Sequence, residues 1–376
     1  MSAKLKITSS SHSKNDIAAI LKDYTSVPLV QHKQLFGGYS GTSYIVELKD
    51  QTKFVLKMSN GYSREHTELM CRTTYHLADR GYKDCCLPMP KIVSDNDGSP
   101  KYKFVSLKEP EGVPTFLLDF IEGHPADKVM RERSNLAVAV MREIGNGLGR
   151  MHKTDAGINK DDAVKHGLRW YETDGGCCDV QDQVNGKMLE KIIGHNFDDD
   201  KTRKQFIPFY EKELTALRSE MLLAKDGTFA LGITHGDPFA DNVMVNPETG
   251  ELSSFIDIED ISVGPLLFDL ACCGIGSCFK EVDGEKYAQV LDFALLEALL
   301  EGYKMGRILL DVEKQHFVPY MRLTLLCNCS WRFVNFNVDT TDVPEEAKNS
   351  YLELKRRIDY LHDPDVVKKV ESLLEK

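Results

Sequence analysis

The sequence predicts an α+β protein of two lobes, in which a small antiparallel β-sheet lobe precedes a larger, mainly helical lobe. Three observations predict this class. The 376-residue chain is longer than a single compact core usually is. Short β-rich runs separated by turn residues fill the stretch 27–58. Helical periodicity dominates from about residue 124 to the end of the chain.

The first lobe begins with a helix and a three-stranded meander. Residues 13–24 have amphipathic spacing behind a Ser or Asn cap, which predicts a helix. The runs VPLVQHKQLF, SYIVEL and KFVLKM are rich in β-forming residues, and the turns GGYSGT and KDQT separate them. Because such short turns join neighbouring strands, we expect one antiparallel meander.

A second helix, more extended chain and a linker complete this lobe. Residues 63–81 return to helical spacing and end at a glycine. LPMPKIV and KYKFVSL are predicted to be extended, and TFLLDFIEG to be an apolar strand ending in a polar turn. We therefore assign 1–118 to the small lobe, 119–123 to a hinge and 124–376 to the helical lobe. A cleft between two lobes is a common place for a ligand.

The second lobe is predicted to be helical around one short β-rich centre. The runs ALGIT, VMV and SSFIDIED surround a polar loop and predict short paired strands. Residues 155–200 are rich in Asp and Gly and are expected to be irregular. The helix candidates are 134–153, 202–225, 285–306, 312–337 and a charged helix over 345–372.

Composition limits the classes of partner and compartment. The net charge of −11 does not favour binding to nucleic-acid backbones or to anionic membranes. No apolar run approaches the roughly 20 residues of a transmembrane helix, and the first residues lack the apolar centre of a secretory signal. The ten cysteines show no paired C-x2-C zinc spacing, so we expect reduced thiols in a cytoplasmic protein. We also expect a monomer or a homodimer.

A polar loop carries the first chemical signal. In ITHGDPFADNVM, Asp237 and Asn242 have the spacing D-x4-N. Phosphoryl transfer requires a carboxylate at the attacking hydroxyl and oxygen ligands for Mg²⁺. One tight loop can supply both, with Asp237 at the reacting oxygen and Asn242 at the metal. Taken alone, the spacing favours a capped turn between two strands.

A second acidic segment follows the loop. Asp257 lies 15 residues after Asn242, at the end of the apolar strand in SSFIDIED. This is the position of the second metal ligand in kinase-like sites. Glu259 and Asp260 follow closely and could also contact a metal ion. The alternative interpretation is an acidic turn.

The first lobe contains a candidate phosphate-binding hairpin in LFGGYSGTSYIVEL. Gly38 and Gly41 would allow a phosphate to approach the backbone closely, and Ser40 and Thr42 add hydroxyl donors. The same residues are compatible with an ordinary hairpin turn.

A lysine on the next strand is the candidate ligand of the nucleotide phosphates. Lys57 alternates with Val55 in KFVLKM, so both side chains face one side of the strand. A kinase site places a lysine on this third strand and pairs it with a helix glutamate. Glu68 is the preferred partner, and Glu65 is the alternative.

In this order, the motifs resemble the aminoglycoside phosphotransferase/choline kinase superfamily, which has a protein-kinase-like fold. HGDPFADN is similar to its H-G-D-x4-N catalytic loop, and SSFIDIEDISVGPLLFDLA to its strand-Asp segment and the next helix. GGYSGTSYIVEL resembles its phosphate loop, TFLLDFIEG its interlobe hinge, and EIGNGLGRMH the helix before the substrate region. The resemblance covers residues 30–280, and more loosely the chain to residue 340.

The resemblance implies ATP and Mg²⁺ as cofactors. Asp237 would orient and deprotonate the hydroxyl of a small-molecule acceptor. Asn242 and Asp257 would hold Mg²⁺, and Lys57 would hold phosphates.

The resemblance also implies supporting roles. The backbone of Asp119 and Ile121 would bind adenine at the hinge. His235 is expected to hold the catalytic loop by hydrogen bonds, Asp269 to brace the same loop, and His152 to pack in the core.

The acceptor is expected to be a small amino alcohol or amino acid. Asp241, which precedes Asn242, matches the H-x-D-x3-D-N pattern of the type II homoserine kinase branch, so a homoserine-like acceptor is the first expectation. Trp170 is expected to wall the acceptor pocket or to anchor its own loop, and Arg332 to hold a substrate carboxylate. The alternative acceptors are choline or ethanolamine, hydroxylysine and methylthioribose.

Two other classes of protein are disfavoured. A pseudokinase that binds nucleotide without turnover usually lacks one of the four catalytic positions, and Lys57, Asp237, Asn242 and Asp257 are all present. A protein kinase would carry an A-P-E segment after Asp257, and the sequence has none.

Overall fold

The computed structural model has the predicted α+β class, with a small antiparallel sheet followed by a larger helical part. The residues that it describes are 12–35, 41–59, 63–89, 103–105, 112–154, 156–171, 186–195, 197, 201–223, 228–285, 287–340 and 342–376.

The first sheet has five antiparallel strands in the order β1-β2-β3-β5-β4. They are β1 (Leu29–Leu35), β2 (Gly41–Leu48), β3 (Lys53–Ser59), β4 (Lys103–Val105) and β5 (Val113–Asp119). The predicted meander is therefore present as β1 to β3. The sheet is wider than the predicted meander, because β5 pairs with β3 and β4 pairs with β5.

Each face of this sheet is covered by different elements. Helix α1 (Lys14–Leu21) starts with a capping box at Ser13, and its apolar side packs on Tyr44, Val46 and Leu56. On the other face, Phe116 and Leu118 belong to the main core of the molecule, which also includes buried residues of helix α2 (Arg64–Asp79). Since side chains alternate along a strand, β5 contributes to both cores.

The helical part contains twelve further α-helices of four to twenty-four residues among the described residues. The first five are α3 (Ala126–Glu132), α4 (Ala137–Thr154), α5 (Lys160–His166), α6 (Lys187–Gly194) and α7 (Lys201–Lys204). The next four are α8 (Phe206–Leu223), α9 (Leu266–Ser277), α10 (Phe293–Gly306) and α11 (Asp311–Val334). The C-terminal helices are α12 (Glu345–Lys348), α13 (Tyr351–Tyr360) and α14 (Pro364–Leu374).

Short strands lie between these helices. They are β6 (His124–Pro125), β7 (Leu231–Thr234), β8 (Val243–Val245), β9 (Leu252–Phe255), β10 (Ser262–Pro265), β11 (Phe279–Glu281) and β12 (Gln289–Leu291). β8 pairs with β9, and β7 pairs with β10. The polar loop at 235–242 thus leaves one strand pair and enters the other.

Three predicted elements differ from the structure. The helix predicted over 285–306 begins at Phe293, because Asp292 caps it and the preceding residues pair as β12. The single helix predicted over 345–372 is three helices, and Pro364 starts the last one. The stretch 155–200, expected to be irregular, contains α5 and α6.

Helices α4 and α10 approach each other unusually closely. A Cβ atom at Gly145 would lie 2.1 Å from Leu299 O, and one at Gly302 would lie 2.0 Å from Arg142 O. The two backbones are therefore in contact wherever a glycine faces the partner helix. This contact fixes α4 and α10 beneath the polar loop. Within the described residues, no helix is both long and apolar enough to cross a membrane.

Because the two helices are so close, adding one methyl group at their contact should destabilise the fold strongly. We expect Gly302→Ala to lower the free energy of unfolding by about 1–3 kcal/mol, because the helices must separate to admit the Cβ. The matched control is Gly274→Ala in α9, where the nearest neighbouring atom would lie 3.7 Å away. That variant should be neutral or slightly more stable, since alanine favours helices. Urea unfolding measures both, and equal effects would contradict the packing described.

Candidate active site

The loop that follows β7 is fixed to the core by one buried carboxylate. Asp269, on the first turn of α9, accepts the backbone N–H of His235 at 2.9 Å and that of Gly236 at 2.9 Å. Gly236 has a φ of +88°, and a Cβ there would lie 2.5 Å from Asp260 O. The loop therefore requires glycine at this position and packs directly on the second acidic segment.

His235 is used to shape the loop. Its Nε2 lies 2.8 Å from Ile256 O, and its Nδ1 lies 3.3 Å from the backbone N of Asp237. The tautomer that satisfies both contacts has Nε2 donating to the carbonyl and Nδ1 accepting from the N–H. Both ring nitrogens contact backbone, which leaves neither for proton transfer to a substrate.

Asp237 is partly buried and faces other carboxylates. The side-chain amide of Asn242 donates to Asp237 Oδ2 and to Asp237 O, both at 2.9 Å. Burial raises the pKa of Asp237 well above its ordinary value, and the negative charges of Asp260, Asp257 and Asp241 raise it further. A more basic carboxylate is better suited to accept a proton from a hydroxyl.

Asp257 has a backbone conformation that side chains rarely adopt. Its φ is 64° and its ψ is 60°, at the start of the turn Ile258–Asp260. A non-glycine residue in this region is strained and persists only where its surroundings hold it. Lys57 Nζ lies 2.7 Å from Asp257 Oδ1 and lowers the pKa of that carboxyl, against the effect of burial.

The partner of Lys57 differs from the prediction. Lys57 Nζ donates to Glu259 Oε2, and Ser59 Oγ donates to Glu259 Oε1 at 2.5 Å. Glu259 is 3% exposed, and burial raises its pKa together with the charge of Asp257. Burial acts to lower the pKa of Lys57, but the two carboxylates outweigh it and hold the pKa above its ordinary value.

Glu68 was therefore the wrong partner for Lys57. It forms an ion pair with Arg72, one turn further along α2, and its side chain is 43% exposed. Glu65, the alternative, is also exposed. The solvent side of α2 carries both glutamates, whereas Glu259 reaches Lys57 from the segment after Asp257. The position of Glu259, two residues after Asp257, was the available signal.

The predicted phosphate hairpin is only partly described. Gly38 and Ser40 lie outside the described residues. At Gly41, a Cβ would lie 2.1 Å from Met58 O, so this glycine admits the neighbouring strand. Thr42 is 4% exposed, which does not favour contact between its hydroxyl and a phosphate.

Some of the backbone groups predicted to bind adenine at the hinge already form hydrogen bonds within the protein. The N–H of Asp119 donates to Leu87 O at 3.3 Å, so it is not available to a base. The carbonyl of Asp119 accepts from Cys86 Sγ at 3.2 Å and retains a second lone pair. Ile121 is partly buried against the main core.

The predicted acceptor residues are spread over the helical part. Trp170 is 8% exposed, forms a bridge with Val263, and lies under Lys160 Nζ, so it anchors its own segment. Arg332 Nη1 donates to Ser350 O at 3.4 Å, which turns it toward the C-terminal helices. Asp241 is exposed on the loop itself, near enough to Asp237 to raise its pKa.

A buried polar chain beneath the loop was missed, because His152 was expected only to pack. His152 Nε2 lies 3.0 Å from Asp269 Oδ2, and its Nδ1 lies 2.7 Å from Tyr303 Oη. Arg307 donates to the same hydroxyl and to both oxygens of Glu313. Burial lowers the pKa of His152, so the neutral ring is favoured. The chain joins α4, α9, α10 and α11 behind the loop.

The sequence matches one family model over most of its length. Residues 31–305 match a family described as the APH phosphotransferase enzyme family. An uncharacterized kinase-like protein of Caenorhabditis elegans is 29% identical over 108 residues, which are 28% of this chain and 24% of that protein. The chain thus matches about a quarter of that curated relative.

Two solved structures share the fold across nearly the whole chain. One is an amicoumacin kinase in complex with AMP-PNP and Ca²⁺, with a TM-score of 0.63, 13% identity and 92% coverage of both chains. The other is an ethanolamine kinase of Plasmodium vivax, with a TM-score of 0.57, 12% identity and coverage of 91% of this chain and 84% of that one. These likenesses confirm the predicted fold class.

Because Asp269 accepts two N–H groups of the loop, replacing its carboxylate with an amide should destabilise the fold. We expect Asp269→Asn to lower the free energy of unfolding by about 2–3 kcal/mol, because an amide nitrogen would face a buried N–H donor. The control is Asp359→Asn, since that carboxylate is 52% exposed beside Lys355, and a loss below about 1 kcal/mol is expected there. Similar losses in urea unfolding would rule out this role of Asp269.

Proposed function

The chain belongs to the APH family of phosphotransferase enzymes, and from this premise we propose that it is an ATP- and Mg²⁺-dependent kinase of a small amino alcohol or amino acid. One observation carries the proposal. Residues that lie about 200 positions apart in sequence, Lys57 and Asp257, are in direct contact, and Asp257 lies beside the loop that contains Asp237 and Asn242.

The donor set fits a divalent cation that is held mainly by nucleotide phosphates. Asn242 uses its amide nitrogen on Asp237, so its oxygen remains for a cation, and the Asp257 side chain is 37% exposed. The described residues contain no ready group of three His, Cys, Asp or Glu ligands. Mg²⁺ in kinases needs only one or two protein carboxylates beside the phosphates. When bound, it neutralises the charge that develops on the transferred group.

Lys57 is suited to hold a nucleotide phosphate. A lysine ammonium has three N–H donors, and two of them point to Asp257 and Glu259. The third donor is available to a phosphate oxygen in our proposal. The two carboxylates also keep the ammonium charged on a side chain that is only 11% exposed.

Asp237 is the proposed base. It would accept the proton of the acceptor hydroxyl as that oxygen attacks the γ-phosphoryl group, while the bond from the γ-phosphorus to the bridging oxygen breaks and ADP leaves. Its raised pKa favours this transfer, and the amide of Asn242 orients the carboxylate from one side. Adenine would lie at the hinge, where the carbonyl of Asp119 and the backbone of Ile121 are the proposed contacts.

Charge favours an acceptor that carries an ammonium group. The side chains of Asp237, Asp241, Asp257 and Asp260 surround the reacting position, and they attract a cation. Arg332, the predicted partner of a substrate carboxylate, points toward Ser350. We therefore place amino alcohols such as ethanolamine and choline ahead of homoserine and hydroxylysine, and methylthioribose last. The ethanolamine kinase of similar fold supports this order.

Several finer assignments stay predictions. They include closeness to the homoserine kinase branch, the division of the chain at 119–123, a monomeric or homodimeric state and a cytoplasmic location. A nucleotide-binding pseudokinase is the second candidate function, and turnover distinguishes it from a kinase.

Turnover against a panel of alcohols tests the proposal. We expect Mg²⁺-dependent ATP consumption with an amine-bearing acceptor, and a loss of about a hundredfold or more in kcat for Asp237→Asn while nucleotide binding survives. Asp311→Asn is the control, because its carboxylate is 92% exposed on α11, and it should retain full turnover.

Two results would oppose this assignment in different ways. Wild-type turnover in Asp237→Asn would show that Asp237 is not the base. No consumption with any acceptor, despite a rise in Tm with Mg²⁺ and ATP, would favour the pseudokinase.

A further inference from the structure

Arg169 links both parts of the molecule through its backbone. It lies at the end of the described stretch 156–171, beside β10, where its carbonyl accepts the N–H of Val263 at 2.7 Å. Its own N–H donates to Thr73 Oγ1 of α2 at 2.9 Å. The residue is therefore held between α2 and the strand that follows the acidic segment.

The side chain of Arg169 is buried, and two of its three nitrogens have no hydrogen-bond partner within the part of the chain that the structure describes. It is 1% exposed, and Nη1 donates to Glu259 O at 2.6 Å. Nη2 lies 4.0 Å from Asp260 Oδ1, which is too long for a hydrogen bond. Among the described residues, neither Nε nor Nη2 has a hydrogen-bond partner. Buried donors without partners reduce stability, so the fold gains little from this guanidinium.

The hydrogen bond from Arg169 Nη1 falls on the turn that Asp257 starts. Glu259 O accepts from Arg169 and also from His66 Nε2 at 3.1 Å, while the Glu259 carboxylate is held by β3. Asp257 starts this turn in a strained conformation, which persists only if the turn cannot relax. Asp260, at its end, packs against Gly236 of the catalytic loop.

We propose that Arg169 is a positioning residue, which holds the turn Ile258–Asp260 so that Asp257 faces the cation and Gly236 keeps its place. This proposal rests on the proposed function, because it requires Asp257 to be a cation ligand. Arg169 acts through Glu259 and Asp260, and it does not touch the substrate or the nucleotide. Nε and Nη2 of Arg169, which have no hydrogen-bond partner among the described residues, are retained for this position at the expense of stability.

Arg357 is a matched control, because it is a buried arginine with a different bonding pattern. It is 8% exposed, and all three of its nitrogens are used. Nε donates to Gln289 and Nη1 donates to Ile275 O, both at 2.6 Å, and Nη2 pairs with Glu353. Methionine has a similar length and no polar hydrogen, so the same substitution removes different contacts at the two sites.

The deciding quantity is the ratio of ADP affinities measured by calorimetry with Mg²⁺ and with EDTA. We expect Arg169→Met to reduce this ratio by about tenfold to a hundredfold, as loss of a group that orients a metal ligand does. The affinity in EDTA and the Tm should be unchanged, or the Tm higher. Arg357→Met should show the reverse, with a lower Tm and an unchanged ratio. Arg169→Lys keeps the charge and should restore the ratio only in part.

The outcomes separate this inference from the proposed function. If wild-type protein binds ADP equally with and without Mg²⁺, this inference is overturned, because no cation is held with the nucleotide at Asp257, whereas turnover still decides the proposed function. If the wild type depends on Mg²⁺ and Arg169→Met retains the full dependence, Arg169 is only structural, whatever its effect on Tm. Turnover gives a second readout, in which kcat should fall in Arg169→Met while the KM of the acceptor is unchanged.

Discussion

The carboxylate of Glu259 joins the small sheet to the acidic segment, and the arrangement of the site depends on it. Its two oxygens accept from Lys57 and Ser59 on β3. A buried ammonium and a buried carboxylate are each costly unless they are paired, so neither group can leave without destabilising the other. This pair brings Lys57 to Asp257, although the two residues belong to different parts of the fold. In this structure Lys57 is therefore held by Glu259 of the helical part and not by a glutamate of α2.

The catalytic loop has a separate support, which is rigid and buried. Asp269 binds two consecutive backbone N–H groups of the loop, and His152 binds Asp269 from behind. Helix α4, which carries His152, is held in close contact with α10 by glycines such as Gly302. Groups that react are best presented by loops on such a scaffold, because small displacements reduce the rate strongly. We propose that the loop and the acidic segment, which meet at Gly236, place Asp237 opposite Asp257.

Much of this arrangement could be predicted from sequence, since local patterns carry it. The meander, the D-x4-N loop and the strand before Asp257 all have short-range signals. For the partner of Lys57 the only sequence signal was the closeness of Glu259 to Asp257, because the pairing depends on how α2 is rotated and on a contact between residues 202 positions apart. The same applies to Arg332, whose helix turns it toward Ser350. The predicted ends of helices were also wrong where a single residue determines where a helix begins, as at Asp292 and Pro364.

The central claim is that Lys57, Asn242 and Asp257 together hold a nucleotide and its cation. A crystal structure of the protein with Mg²⁺ and a non-hydrolysable ATP analogue tests this most directly. The account predicts a cation bound by the side-chain oxygens of Asn242 and Asp257, with Lys57 Nζ in contact with a phosphate and still paired with Glu259. A nucleotide bound elsewhere, or one bound in the cleft with no cation at Asp257, would contradict it.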